Sequence, residues 1–300
     1  MRPLAISLAI LLMAASAHAQ KKSYPIFRAL DQKSVETMVL GVPQSNQLRL
    51  AQLKRAFEDV ECTGANLHEQ STPQGSTLLC TLPGKSTDTL LVAAHYRRVG
   101  EGMSAIDDWS GSIMLPLLYR ALTAAPRQQT YIFAALSGDE AAKVFLASLT
   151  SAQRRSIKAI IALDALGLGP MRFYIHLSET VPTPAENSLR VQLFEAADNQ
   201  GLKPPESSIP GSWFHIDDTK EFRYHGIPAI LMHSVDGSKR HVPGSRDDNP
   251  EAIDANAYFA SYMTLCYYLV GLDQGHRMVG AAFRAIPAQR RPPLKLLMFQ

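Results

Sequence analysis

Histidines and carboxylates stand where apolar runs of this 300-residue chain stop. "LLVAAH" closes on His95, and Asp107 and Asp108 follow in "SAIDDWSGS". "TYIFAAL" runs into Ser-Gly-Asp139-Glu140, "IALD" ends on Asp164, and "GIPAILMHS" leads to a loop holding His241. Imidazole nitrogens and carboxylate oxygens without clustered cysteines form a donor set suited to Zn(2+). Taken singly, each residue has an ordinary structural use. A histidine at a strand end is commonly a hydrogen-bonded structural residue, an Asp-Glu pair caps a helix and suits its dipole, and Asp164 can cap a turn. The joint pattern points elsewhere, because several acids buried near one spot without a cation are costly. The chemistry expected is metal-assisted hydrolysis.

Such residues need a scaffold that brings remote strand ends to one rim. "STLLCTLPG", "DTLLVAAH", "TYIFAAL", "IKAIIALDAL" and "GIPAILMHS" are short apolar runs bounded by Pro, Gly or Asp, as strands are. Between them lie helical stretches: residues 20–60, 110–122, 141–149, "ENSLRVQLFEAADNQG" and 252–272. Central strands that are apolar throughout are covered on both faces. The fold class expected is a three-layer α/β/α sandwich with a mixed, mainly parallel central sheet. In such sheets the working site lies beyond the carboxyl ends of the strands, where the residues above are found.

The order and spacing of six segments resemble the exported zinc exopeptidases of the bacterial leucyl aminopeptidase and aminopeptidase Y type, whose fold is shared by glutaminyl cyclases. The segments are "AHYR", "SAIDDWSG", "LSGDE", "IALDALG", "DDTKEFRYHGIPAI" and "RHVPGSRDDNPEAID", within roughly residues 75–270. The resemblance implies a zinc-dependent aminopeptidase acting on peptides. Carried over by position, His95 and Asp164 bind one zinc, Glu140 and His241 bind another, and Asp107 bridges them. Two zinc ions are expected, with one as the alternative. Asp139, before the ligand Glu140, takes the place of the general base. Asp108 is not a ligand in this scheme and is expected to order its loop by hydrogen bonds.

Four departures accompany the resemblance. Arg97 stands where relatives carry an Asp that orients the first histidine; losing such a partner weakens metal binding about 10- to 100-fold, so the His95/Asp164 metal is the weaker expectation. Asp139 replaces a longer Glu, and general-base geometry is strict. Thr219 stands where many relatives have His, leaving Asp218 as a possible contact for a substrate amine or a solvated loop acid. The stretch from His241 to Asp248 is slightly long. Arg97 mildly favours a single-zinc glutaminyl cyclase-like acyltransferase as the alternative. Together with Asp139 it also allows a catalytically impaired member that binds metal or peptide. His215, His225 and His233 are expected to be structural. Trp213 and Phe214 suit either a pocket or a core. Ser110 lacks a nucleophile elbow.

The remaining features set the context. Net charge is +3, with 30 basic and 27 acidic residues, which gives no reason to propose a nucleic-acid partner. "MRPLAISLAILLMAASAHA" is a secretory signal with cleavage expected after Ala19. Its apolar core is short for a bilayer of roughly 30 Å, so no stable membrane insertion is expected after cleavage, and residues 20–300 are expected to form one exported domain, periplasmic or secreted. Export permits a disulfide: Cys62 and Cys80 flank a turn-rich stretch and could be joined, while Cys266 in "YMTLCYYLV" is expected to be a free core thiol.

Overall fold

The computed structural model describes residues 26–72, 75–138, 140–175, 182–208 and 218–274. The signal segment, Asp139, Trp213, Phe214 and His215 lie outside the described residues. The chain opens with helices α1 (Gln32–Leu40) and α2 (Asn46–Asp59). Strands β1 (Leu67–Thr72), β2 (Gly75–Leu82) and β3 (Thr89–His95) follow, then α3 (Gly111–Leu122), β4 (Thr130–Leu136), α4 (Ala141–Ser148), α5 (Ser151–Ser156) and β5 (Ile157–Leu163). The rest is β6 (Arg172–Tyr174), α6 (Pro184–Asp198), β7 (Glu206–Ser207), α7 (Asp218–Tyr224), β8 (Ala229–His233) and α8 (Ala255–Asp273).

The eight strands form one sheet in the order β1-β2-β4-β3-β5-β8-β6-β7. The central four, β4, β3, β5 and β8, run parallel, and antiparallel pairs join β1 to β2, β2 to β4 and β6 to β8. Every residue of β3 is buried. Its side chains alternate between two cores, as the two-residue period of a strand requires. Leu90, Val92 and Ala94 belong to the core shared with α1, α2, α3, α6 and α8, which includes Phe57, Met114 and Tyr258. Leu91 and Ala93 belong to the opposite core, with Phe145 of α4 and Phe222 of α7. Each fully buried Leu or Val of such a strand contributes about 1.5–3 kcal/mol. The result is the three-layer sandwich with a mixed, mainly parallel sheet.

Local structure departs from expectation at element ends. The helical stretch of residues 20–60 is two helices: residues 26–31 are not helical, and the chain breaks between Leu40 and Asn46. Pro43 lacks the N–H a continuous helix needs, and Ser45 starts α2 by accepting from the Leu48 N–H at 3.2 Å. β5 stops at Leu163, so Asp164 lies just past the strand. The last helix begins at Ala255, where the Asp254 carboxylate accepts from the Ala257 N–H at 3.0 Å. Cys62 and Cys80 form a disulfide with a Cα–Cα distance of 6.3 Å, tying the chain just after α2 to β2. Cys266 is free and buried. Among the described residues no helix is long and apolar enough to cross a membrane.

Candidate metal centre

Register places the first two candidate ligands side by side. β3 and β5 are parallel with Ala93 opposite Ala162, so two residues further on His95 and Asp164 end neighbouring strands. His95 also lies opposite Leu136 of β4. The Asp164 N–H donates to the Met232 carbonyl at 3.0 Å, which fixes the backbone there. His95 is buried and Asp164 half-buried.

The loop from Arg97 to Ser110 brings the acids in. One carboxylate oxygen each from Asp107, Asp108 and Asp164 lie within 4.8 Å of one another. Asp108 is buried, and its Oδ2 lacks a hydrogen-bond donor. Burial pushes the Asp108 carboxyl well above the usual carboxylate range; the charges of Asp107 and Asp164 push the same way, and Arg97 opposes them. Arg97 Nε lies 3.9 Å from Asp108 Oδ2. Asp108 Oδ2 thus meets Arg97 and the neighbouring acids and accepts no hydrogen bond.

Two residues that sequence reasoning missed order this loop. The first is Asp248, whose side chain is buried. Its Oδ1 accepts from the Ile106 N–H at 2.6 Å, and its Oδ2 from the N–H groups of Asp107 at 3.3 Å and Gly244 at 2.9 Å. Burial raises its pKa to about 6, against the pull of those donors. The same loop meets residues 244–249 along its length. The Glu101 N–H donates to the Gly244 carbonyl, the Met103 N–H to Asn249 Oδ1, and Arg246 pairs with Glu101. The approach is close enough that a Cβ on Gly100 would overlap the Gly244 carbonyl, and one on Gly102 those of Ser245 and Asp248. The second is Arg49 of α2. Its guanidinium donates to the carbonyls of Pro43, Tyr96, Arg97, Met103 and Ser104, and lies 5.8 Å from the centre of the Trp109 ring. Burial lowers its pKa to about 10, partly offset by Asp108 and Asp248. The available signals were an Asp in the last motif and an arginine on the otherwise apolar face of α2. Neither says what it contacts.

Glu140 and His241 are placed differently. Glu140 is exposed at the start of α4 and pairs with Lys143 at 3.6 Å. His241 is exposed in the turns after β8. Among the described residues, the Asp107–Asp108–Asp164 trio is the only set of three or more His, Cys, Asp or Glu with donor atoms so close. Asp218 begins α7, and Thr219 beside it is buried. His233 is structural: its Nδ1 accepts from the Val235 N–H at 3.2 Å, its Nε2 faces Ser208 Oγ at 3.1 Å, and burial lowers its pKa to about 4. His225 pairs with Glu221 at 3.3 Å. Ser110 Oγ donates to the Ile106 carbonyl and accepts from the Leu166 N–H, so it is a strut of the loop.

Residues 77–269 match the family model described as Peptidase family M28. The chain belongs to peptidase family M28. Its fold is that of solved structures at low identity. The zinc aminopeptidase BSAP from Bacillus subtilis is 16% identical with a TM-score of 0.57, over 68% of this chain and 52% of that one. LapA aminopeptidase from Legionella pneumophila is 14% identical with a TM-score of 0.61, over 84% and 78%. A glutaminyl cyclase from an Acidobacteriales bacterium is 15% identical with a TM-score of 0.62, over 85% and 98%. No curated protein sequence matches the chain. This M28 chain spans about half the length of BSAP. The family segment begins within β2, so Arg49 lies before it while gripping a loop inside it. In this M28 chain the trio suits a divalent cation: three oxygen donors converge, one belongs to a buried carboxylate lacking a donor, and a buried imidazole ends the adjoining strand.

Proposed function

We propose that this chain is an exported zinc-dependent aminopeptidase that removes N-terminal residues from peptides. The observation that carries the reading is the convergence of Asp107, Asp108 and Asp164 at the strand end occupied by His95. Zinc in such a site supplies Lewis-acid polarisation of a carbonyl and acidification of a water. His95 offers a neutral nitrogen and Asp164 an anionic oxygen. Asp107 would add a further carboxylate oxygen. Glu140 and His241, exposed on the segments after β4 and β8, would serve any second cation. Asp139, next to Glu140 in sequence, accepts a proton from the attacking water and delivers it to the leaving amine. Asp218 receives the substrate's α-ammonium. Export rests on the N-terminal signal segment and the disulfide. The test is to purify the protein without chelator, measure its metal content, and assay a broad panel of aminoacyl-anilides. Metal-dependent release is expected; its absence across the panel would refute the proposal.

A second reading is a single-zinc glutaminyl cyclase-like acyltransferase. It is favoured by Arg97 beside the acids, and by coverage of 98% of a glutaminyl cyclase against 52% of BSAP. Ammonia release from an N-terminal glutaminyl peptide, compared with alanine release from an alanyl peptide, separates the two.

A further inference from the structure

A guanidinium lies against the acidic trio. Arg97 Nε lies 3.9 Å from Asp108 Oδ2, the buried oxygen that lacks a hydrogen-bond donor. The Arg97 side chain is only 21% exposed and that of Asp108 only 7%, so the pair is weakly screened. Arg97 is also anchored. Its carbonyl accepts from Arg49 Nη1 at 2.6 Å, and the next residue's N–H donates to Asn46 Oδ1 at 2.7 Å. A guanidinium stays charged at any physiological pH. Arg49 adds positive charge behind the loop, but its donors are directed to backbone carbonyls.

Charge balance follows. The trio brings three negative charges when ionised, and the guanidinium leaves two, which one divalent cation matches. Two divalent ions would leave an excess of positive charge in a poorly hydrated pocket, where an unmatched charge is strongly disfavoured. Glu140, the next acid, is exposed and shares its charge with Lys143. We propose that Arg97 stands in for one of two cations, so that the chain holds a single divalent ion tightly and the guanidinium supplies the charge a second would bring. This rests on the metal-centre reading above and decides how many ions it takes.

The test is a calorimetric titration of the chelator-stripped full chain with zinc, together with zinc content after dialysis. The unaltered protein is expected to bind one zinc per chain tightly, with any further zinc at least tenfold weaker. Arg97→Gln is expected to tighten a second zinc at least tenfold. It should also lower the melting temperature of the metal-free protein and enlarge the rise that zinc produces, because the trio then lacks its counter-charge. Arg97→Lys, which keeps a charge, should stay with the unaltered protein. Two tight zinc ions in the unaltered protein, or an Arg97→Gln titration that superimposes on it, would overturn the inference while leaving a metal centre in place. Absence of zinc binding by every form would instead overturn the metallopeptidase reading. If Arg97→Gln fails to fold, the stoichiometry of the unaltered chain and of Arg97→Lys still decides.

Discussion

Asp107 and Asp164 stand in a frame of buried hydrogen bonds, while Glu140 and His241 stand at the surface. On the first side, Asp248 grips the backbone of Ile106 and Asp107, Arg49 grips the carbonyls of residues 96, 97, 103 and 104, and β5 hands Asp164 to the rim. On the second side, Glu140 has an exposed lysine for a neighbour, and His241 sits in a run of turns. The first side is positioned by folding itself, through buried polar groups that satisfy one another. On the second side the two side chains are open to solvent, so a bound cation would add contacts there. A site assembled this way costs stability on the framed side, where like charges converge, and gains it back when a cation arrives.

The sharpest way to break this comparison is to remove a framed acid. Asp164→Asn is expected to lower aminopeptidase kcat/KM by more than about 100-fold, since even partners of ligands cost 10–100-fold. It should also raise metal-free stability by relieving repulsion. Steady-state assays and urea melts report both, and a loss of stability would contradict the trio as a cluster of like charges.

Next in size is the tether behind Arg49. Replacing Cys62 and Cys80 with alanine opens a loop of sequence separation 18, which costs about 3 kcal/mol in a chain-entropy estimate. Urea unfolding should show that loss. Because α2 then loses its anchor, metal affinity should weaken in the same variant.

The pH profile of the metal-free protein tests Asp248. Its folded pKa is raised from 3.8 to about 6. The unfolded chain therefore releases this proton first, and stability should fall as pH rises through that window, by roughly 2–3 kcal/mol from this group. The raised Asp108 carboxyl acts with the same sign. Asp248→Asn should flatten the slope between pH 4 and about 6 in thermal melts, and an unchanged slope would count against the buried latch.

The smallest effect on stability belongs to the exposed side. Glu140→Gln breaks only its pair with Lys143 and should change unfolding free energy by less than about 1 kcal/mol. Its effect on catalysis should nonetheless be large. Loss of activity without loss of stability would confirm the contrast between the two sides, and a large destabilisation would erase it.

The sequence alone determined the alternation of strands and helices, the strand ends that carry His95 and Asp164, and the order of motifs that marks family M28. These follow from apolar continuity and short-range periodicity, which are local properties. The break between α1 and α2 is also legible, since Gly41, Pro43 and the Ser45 cap stand between the two apolar stretches. Tertiary structure alone decided that Asp108 joins Asp107 and Asp164, that Asp248 holds a loop 142 residues away, and that Arg49 lies beneath it. Those outcomes depend on which buried polar groups find partners once remote segments meet. The energy of such a pairing lies in geometry and desolvation, which no spacing along the chain encodes.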